Sequence, residues 1–140
     1  MSTLKTSNIQ DTSGGNNSTP EEISQGRAKA WVNFDGTFAT SPYTTANGGI
    51  RDSYNVDSIT DNGTGLYVVN FSSGVLANAN YSAVASVSWQ AATSRNTVSI
   101  NSNNSGVTAP STSSMSIEVV NYSNGTAYNA NYVHLVVFGD

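Results

Sequence analysis

The chain contains no cysteine, few charged residues and no long apolar run. Without cysteine it can form neither disulfides nor a thiolate metal site, so its stability must come from packing and association. Five Lys and Arg against nine Asp and Glu give a net charge of -4, which argues against nucleic acid and anionic membranes as partners. No apolar run approaches the roughly 18 residues of a membrane span, so no membrane insertion is expected. The first residues lack the apolar segment of a signal peptide, which predicts a soluble protein made in the cytosol.

Small uncharged polar residues dominate the composition instead. Ser, Thr and Asn account for 55 of the 140 residues, whereas Leu, Ile, Val and Phe together account for 28. So few aliphatic residues border on the composition of disordered chains, but the low charge, 7 Tyr and 2 Trp favour a folded protein. The length predicts one domain of ordinary size with a tail.

The first 26 residues contain almost nothing that a folded core could bury. Beyond the initial Met, their apolar side chains are Leu4, Ile9 and Ile23. Residues 21–29 have the only helical pattern in the chain, and it covers two turns at most. We therefore predict that residues 1–26 form an extended docking arm. Fully stretched, such an arm reaches at most roughly 90 Å, enough to run along a neighbouring subunit.

Residues 27–140 carry the period-two pattern of β-strands. From Tyr81 to Trp89 apolar residues alternate with serines, with Val84 as the exception. Similar runs lie at 28–34, 49–56, 66–71, 97–101, 115–121 and 132–138, and turn formers such as Asn124-Gly125 separate them. The pattern predicts an all-β fold: a jelly-roll-like antiparallel β-sandwich of seven or eight short strands.

Two segments of this domain repeat each other. Residues 68–81 and 119–132 are identical at 9 of 14 aligned positions, and both read as strand, glycine turn, Asn-Ala-Asn-Tyr corner and strand. Because Asn tolerates left-handed backbone and bonds its own chain, we interpret the motif as a structural corner. Two equivalent ligand loops are the alternative. Two copies do not make a repeat array.

Four blocks of sequence resemble one known family. Residues 27–37 (RAKAWVNFDGT) and 50–71 (IRDSYNVDSITDNGTGLYVVNF) resemble a recurrent module of bacteriophage tail fibre proteins, especially those of cyanophages. Residues 133–140 (VHLVVFGD) are similar to the end of that module, and residues 4–15 (LKTSNIQDTSGG) are similar to its lead-in. The chain departs from the module at residues 38–47, which look like an insertion.

The resemblance implies a virion structural protein made in the cytoplasm of a bacterial host. Such subunits are mostly β and usually homotrimeric, and their outer surface meets a host polysaccharide such as lipopolysaccharide. The arm would then dock onto a tail, baseplate or companion fibre protein, with strand addition as one route. The alternative is an adaptor or decoration protein of the tail or head that binds no receptor.

Catalytic, metal and cofactor sites are not expected. His134 is the only histidine, and one histidine does not make a metal site within one chain. It is predicted to be packed and hydrogen-bonded. Nothing in the spacing of the carboxylates pairs them for glycoside hydrolysis, and the resemblance supplies no catalytic residues. The carboxylates considered for this chemistry are Asp52, Asp57, Asp61 and Glu118.

Sugar binding is the chemistry that the composition favours. Sugar rings present apolar faces to aromatic side chains and hydroxyls to amides. Trp31 and Trp89 lie inside strand patterns and are predicted to be core. The glycan-binding candidates lie in loop-like stretches instead, and they are Tyr43, Asn47, Tyr128 and Asn129. Packing of these side chains within the protein is the alternative.

Overall fold

Strands make up most of the regular structure in the computed structural model, which describes residues 2–15, 17–88, 96–103 and 106–139. One short helix, α1 (Pro20–Gly26), precedes them. The strands are β1 (Ala30–Phe34), β2 (Ile50–Tyr54), β3 (Val56–Asp61), β4 (Leu66–Phe71), β5 (Ser82–Val87), β6 (Asn96–Ile100), β7 (Ser102–Asn103), β8 (Gly106–Val107), β9 (Ser114–Asn121) and β10 (Val133–Phe138).

Eight of these strands form two four-stranded sheets that pack face to face. The first sheet has the order β2-β1-β10-β5 and the second has the order β3-β4-β9-β6. Every pair within them is antiparallel. The chain passes from one sheet to the other between β2 and β3, β4 and β5, β5 and β6, and β9 and β10. The predicted all-β antiparallel sandwich of short strands is confirmed.

The core lies between the two sheets and is filled by alternate residues of their strands. In β1, for example, Ala30, Val32 and Phe34 point inward, as their 0–2% exposure indicates. Strand β5 contributes Ala83, Ala85 and Val87, as its alternation predicts. No helix in the described part of the chain is long and apolar enough to cross a membrane.

Among the eight strands of the two four-stranded sheets, β3 is the one that the periodicity does not predict. Asn55 adopts a left-handed φ of 57°, which ends β2 and turns the chain into the second sheet. A register shift between Val56 and Ser58 follows at once. The inward residues Val56 and Ile59 are therefore three positions apart, and the period of two is lost.

The predicted arm lies outside both sheets and is partly folded on itself. Ile9 and Ser18 exchange two backbone hydrogen bonds of 2.8 Å, closing a loop across residues 9–18. Helix α1 begins with a capping box, in which Thr19 and Glu22 bond each other's backbone N–H groups. The three apolar side chains stay in solvent, with exposed fractions of 85% for Leu4, 53% for Ile9 and 42% for Ile23.

The internal repeat corresponds to two equivalent crossings between the sheets. Its first copy leaves β4 for β5, its second leaves β9 for β10, and β4 pairs with β9 as β5 pairs with β10. The aligned turn glycines, Gly74 and Gly125, have similar left-handed φ angles of 76° and 68°. In the second copy the corner residue Ala130 is fully buried. These contacts favour the structural interpretation of the repeat.

Candidate functional site

Tyr43, the first predicted sugar contact, belongs to the core. Its side chain is 0% exposed, and its ring packs against Phe34, Phe38 and Tyr67. Its backbone exchanges hydrogen bonds of 2.7 and 2.9 Å with Ile59, which holds the inserted segment against β3. The prediction of Tyr43 as a glycan contact is therefore wrong, because its side chain packs into the core instead of projecting from a loop.

Asn47, the second candidate, uses its side chain for hydrogen bonds within its own loop. Asn47 is exposed, but its Oδ1 accepts from the N–H groups of Thr44 and Gly49 and its Nδ2 donates to the carbonyl of Pro42, at 2.9–3.1 Å. These bonds close its own loop.

Asn129 sits at the boundary of the sheets. Its Oδ1 accepts from the Gly65 N–H at 2.6 Å and lies 2.8 Å from the Tyr67 hydroxyl. The structure thus brings Tyr43 and Asn129 together around Tyr67, where Tyr43 is fully buried and Asn129 is half-buried. Tyr128 is half-buried, and its backbone N–H donates to Val119; a role in sugar binding stays a prediction for it.

Burial changes the acidity of the two core tyrosines. Desolvation, aided by a 2.7 Å hydrogen bond to Asp61 and by its charge, raises the pKa of Tyr43. Desolvation also raises the pKa of Tyr67, with smaller contributions from Asp61 and Asp35. Both hydroxyls are therefore neutral hydrogen-bond donors over the physiological range.

We expect the free energy of unfolding to fall at alkaline pH because of these two residues. Below the ordinary tyrosine pKa of about 10, both states are protonated and the tyrosines add no pH dependence. Above it the unfolded chain loses protons that the folded chain keeps, so stability falls by about 1.4 kcal/mol per pH unit for each tyrosine. Denaturant titrations of the wild type from about pH 8 to 11 measure this slope.

The variants Tyr43→Phe and Tyr67→Phe identify the source of the slope. Each is expected to be less stable at neutral pH, because a buried acceptor loses its donor, but to lose stability more gradually above about pH 10. Tyr122→Phe, at a ring that is 72% exposed, serves as the control and should follow the wild type. Parallel alkaline slopes in all four proteins would contradict this account.

The outer surface of the first sheet forms what we call the aromatic face. Tyr54, Trp31, Val136 and Val84 are neighbours in the strand register and cross all four strands as one apolar row. Tyr54 and Val84, at the ends of the row, are 49% and 64% exposed, and the two central side chains are half-buried. With strands about 4.8 Å apart, the row spans roughly 15 Å. The outer surface of the first sheet therefore carries a continuous apolar row.

A row of polar side chains runs beside the apolar one. Asp52, Asn33, His134 and Ser86 are aligned across the same four strands. His134 is half-buried, and its ring stacks on that of Tyr132 at 6.5 Å between centroids. The row places a carboxylate at one edge of the sheet and a hydroxyl at the other, with an amide and an imidazole between them.

An ion pair borders the aromatic face. The Arg51 guanidinium donates to Asp35 Oδ2 at 2.8 Å and to the carbonyl of Asn131 at 2.6 Å. The same group covers the Tyr132 ring, 4.2 Å from its centroid. Tyr132 is thereby held in place while 48% of its surface stays exposed.

The outer surface of the second sheet is different in character. Asn70 Nδ2 donates to the hydroxyls of Ser58 and Thr60 at 3.1 and 3.0 Å. Glu118 accepts a 2.8 Å hydrogen bond from Ser102. Polar groups on this side satisfy one another, and the chain thus has one aromatic outer face and one largely polar outer face.

Two sequence predictions fall on the aromatic face. Trp31 is not a core residue: Ala30, Val32 and Phe34 point inward, so the alternation of the strand turns Trp31 outward. His134 is half-buried and stacked, on the outer face of its strand. Trp89, also predicted to be core, lies outside the described residues.

A signal for this face was present in the sequence. Strand β10 has apolar residues on both of its faces, since Val136 and Phe138 point outward beside His134 while Val133, Leu135 and Val137 fill the core. A strand that is apolar on both sides is typical of one covered on both sides. Val84, the exception to the alternation in β5, is the second such signal.

The carboxylates considered for catalysis have local partners. Asp61 accepts from Tyr43, Asp57 from Ser72, and Glu118 from Ser102. Asp52 accepts from the N–H of Ser53 and lies in the polar row of the aromatic face. Within the described ranges, no three His, Asp or Glu residues come together in a group that could hold a metal ion.

The fold and these surfaces define a class: an all-β sandwich of two antiparallel sheets with an apolar row on one outer face and an N-terminal segment outside the sheets. Comparisons with protein families, with curated proteins and with solved structures found no match.

Proposed function

We propose that this chain is a subunit of a bacteriophage tail fibre. In this proposal it forms a homotrimer through its aromatic face, docks onto the tail, baseplate or a companion fibre protein through residues 1–26, and adsorbs to a host surface polysaccharide such as lipopolysaccharide through its β-sandwich. The sequence resemblance supports the virion assignment. The observation that supports the proposed assembly is that one outer face of the sandwich is aromatic and the other is largely polar.

A further copy of this chain is the partner that best suits the aromatic face. Trp31 and Tyr54 are of the residue types that dominate the centres of protein interfaces. Asp52 lies at one edge of the polar row and Ser86 lies at the other. A rotated copy of the chain can therefore place its Ser86 hydroxyl, a donor, opposite the Asp52 carboxylate, an acceptor. Closed rings of identical chains are the common way in which such surfaces are covered.

The proposed docking role of the arm follows from its exposed apolar side chains. Leu4 and Ile9 belong to no core and are 85% and 53% exposed. Exposed apolar side chains contribute a favourable free energy only when another surface removes them from water. A partner that adds a strand or groove beside residues 2–10 would cover them.

Adsorption to polysaccharide is tested with the full-length protein. Purified protein is expected to co-sediment with host cells and to bind extracted lipopolysaccharide, and several weak sites in one assembly should strengthen this adsorption roughly 100-fold over a single site. A phage that lacks the protein should lose adsorption. The receptor role is wrong if the protein binds neither preparation and the mutant phage adsorbs normally.

One observation favours a second function, a structural adaptor or decoration protein without a receptor. Tyr43 is buried, and Asn47 and Asn129 use their side-chain oxygens within the fold, so three of the four predicted sugar contacts have structural roles. Normal adsorption by a phage that lacks this chain, combined with defective particle assembly, would identify the adaptor function.

A further inference from the structure

A cleft at one end of the sandwich combines positive charge with an aromatic rim. It encloses about 390 Å³ between the segment before β1, the corner after β2 and the loop after β4. Its lining includes Arg27, Lys29, Tyr54, Asn55, Ser73 and Gly74. The volume lies within the range of small-molecule sites, and the lining is polar with few apolar groups.

The charge of this cleft stands out against the composition of the chain. Arg27 and Lys29 are two of only five basic residues in a protein of net charge -4. Arg51 is engaged by Asp35, in the only ion pair among the described residues. Lys29 Nζ instead donates to the Ser24 hydroxyl at 3.2 Å. Two basic residues line this cleft, and neither is paired with a carboxylate in the described structure, which favours an anionic ligand.

The backbone around the cleft is held in place by Asn55. Its Nδ2 donates to the carbonyl of Lys29 at 2.7 Å, and its own carbonyl accepts from the Ser72 N–H at 3.1 Å. One residue thus joins all three segments that line the cleft. Such a preorganised lining loses little conformational entropy when a ligand binds.

We propose that this cleft binds an anionic sugar residue. The acid group of the sugar lies between Arg27 and Lys29, its hydroxyls meet Asn55 and Ser73, and its ring packs against Tyr54, which is 49% exposed. Two cations suit one acid group, not a polyanion such as nucleic acid. The inference rests on the proposed adsorption to polysaccharide and names the sugar class.

The cleft opens at the border of the aromatic face, because Tyr54 lies at the end of the edge strand β2. Tyr54 therefore belongs to both surfaces, and substituting it would not separate their roles. Arg27→Gln and Lys29→Gln remove the charges and leave the apolar row unchanged. Lys5→Gln, in the arm, removes one positive charge away from the cleft, as each of the single cleft variants does within it.

Isothermal titration of the full-length chain with defined sugars tests the proposal. We expect an oligogalacturonate or a hexose phosphate to bind with a roughly millimolar Kd and a carboxyl-reduced oligogalacturonate to bind at least about tenfold more weakly. The double variant should lose about tenfold or more in affinity, and Lys5→Gln should bind as the wild type does. The comparison of the two acidic sugars shows whether a carboxylate or a phosphate is preferred.

The proposal is overturned by equal affinity for the reduced sugar, by unchanged affinity of the double variant, or by inorganic phosphate binding as tightly as the hexose phosphate. The last would mean a simple anion site. If the wild type and the double variant adsorb equally to lipopolysaccharide, the cleft proposal fails while the adsorption proposal stands. If the wild type binds the acidic sugars but not the polysaccharide, the adsorption proposal fails and the cleft is a sugar site of another purpose.

Discussion

Gly65→Ala is expected to destabilise the protein by about 3–5 kcal/mol, most of the stability of a small domain. Gly65 ends the turn between β3 and β4 with a left-handed φ of 71°. A Cβ there would lie 2.3 Å from the carbonyl oxygen of Val119 and 2.8 Å from the backbone nitrogen of Tyr128. Because both are backbone atoms, the clash is relieved only by moving β9 or the corner after it.

The substitution would also break the hydrogen bonds that Gly65 makes with its neighbours. Its N–H donates to Asn129 Oδ1 at 2.6 Å, and its carbonyl accepts from the Val119 N–H at 2.8 Å. Asn129 in turn contacts the buried hydroxyl of Tyr67. The substitution therefore disturbs the polar network that closes this end of the core.

Gly125→Ala is the matched control for backbone strain. Gly125 has a similar φ of 68°, but no atom lies within 4 Å of a Cβ placed there. It should cost only about 1 kcal/mol, the usual penalty for alanine in a left-handed conformation. Denaturant unfolding of both variants gives the comparison. Equal losses in the free energy of unfolding would show that the close packing around Gly65 contributes nothing to the effect of Gly65→Ala.

Substitution on the aromatic face should dissociate the assembly with little effect on the fold of each subunit. Trp31→Ser is expected to weaken association roughly 100-fold, because a tryptophan at the centre of an interface commonly contributes more than 2 kcal/mol. Trp31 points out of the sheet, so the core of the monomer is unchanged. Sedimentation velocity over a range of concentrations measures the shift.

A pair of valines gives the matched comparison. Val136, on β10, and Val68, on β4, are both half-buried and both point outward from central strands, but from opposite sheets. Val136→Ser should weaken association by about tenfold and Val68→Ser should leave it unchanged. If Val68→Ser dissociates the protein and Val136→Ser does not, the interface lies on the other face.

Much of the fold could be predicted from the sequence because its strands follow a simple period. The alternation from Tyr81 to Trp89 locates β5 and its inward side chains correctly. The periodicity does not predict β3, because the bulge near Val56 shifts the register of this strand. That shift depends on the pairing of β3 with β4. The prediction that Trp31 is core, from its position inside a strand pattern, is wrong because the alternation of that strand turns it outward.

The candidate sites depended more on contacts between distant segments. Tyr43 meets Asp61 across 18 residues, and no local pattern indicates that its loop folds over the core. The cleft joins residues 27–29 to Asn55 and to Ser73, which only the assembled sandwich brings together. Its one signal in the sequence is the spacing of two of the five basic residues at positions 27 and 29.

The mass of the wild-type protein in solution tests whether the aromatic face joins identical subunits. Sedimentation equilibrium at micromolar concentration should give three times the chain mass of 14.6 kDa. A stable monomer of 14.6 kDa under the same conditions would contradict the proposed assembly.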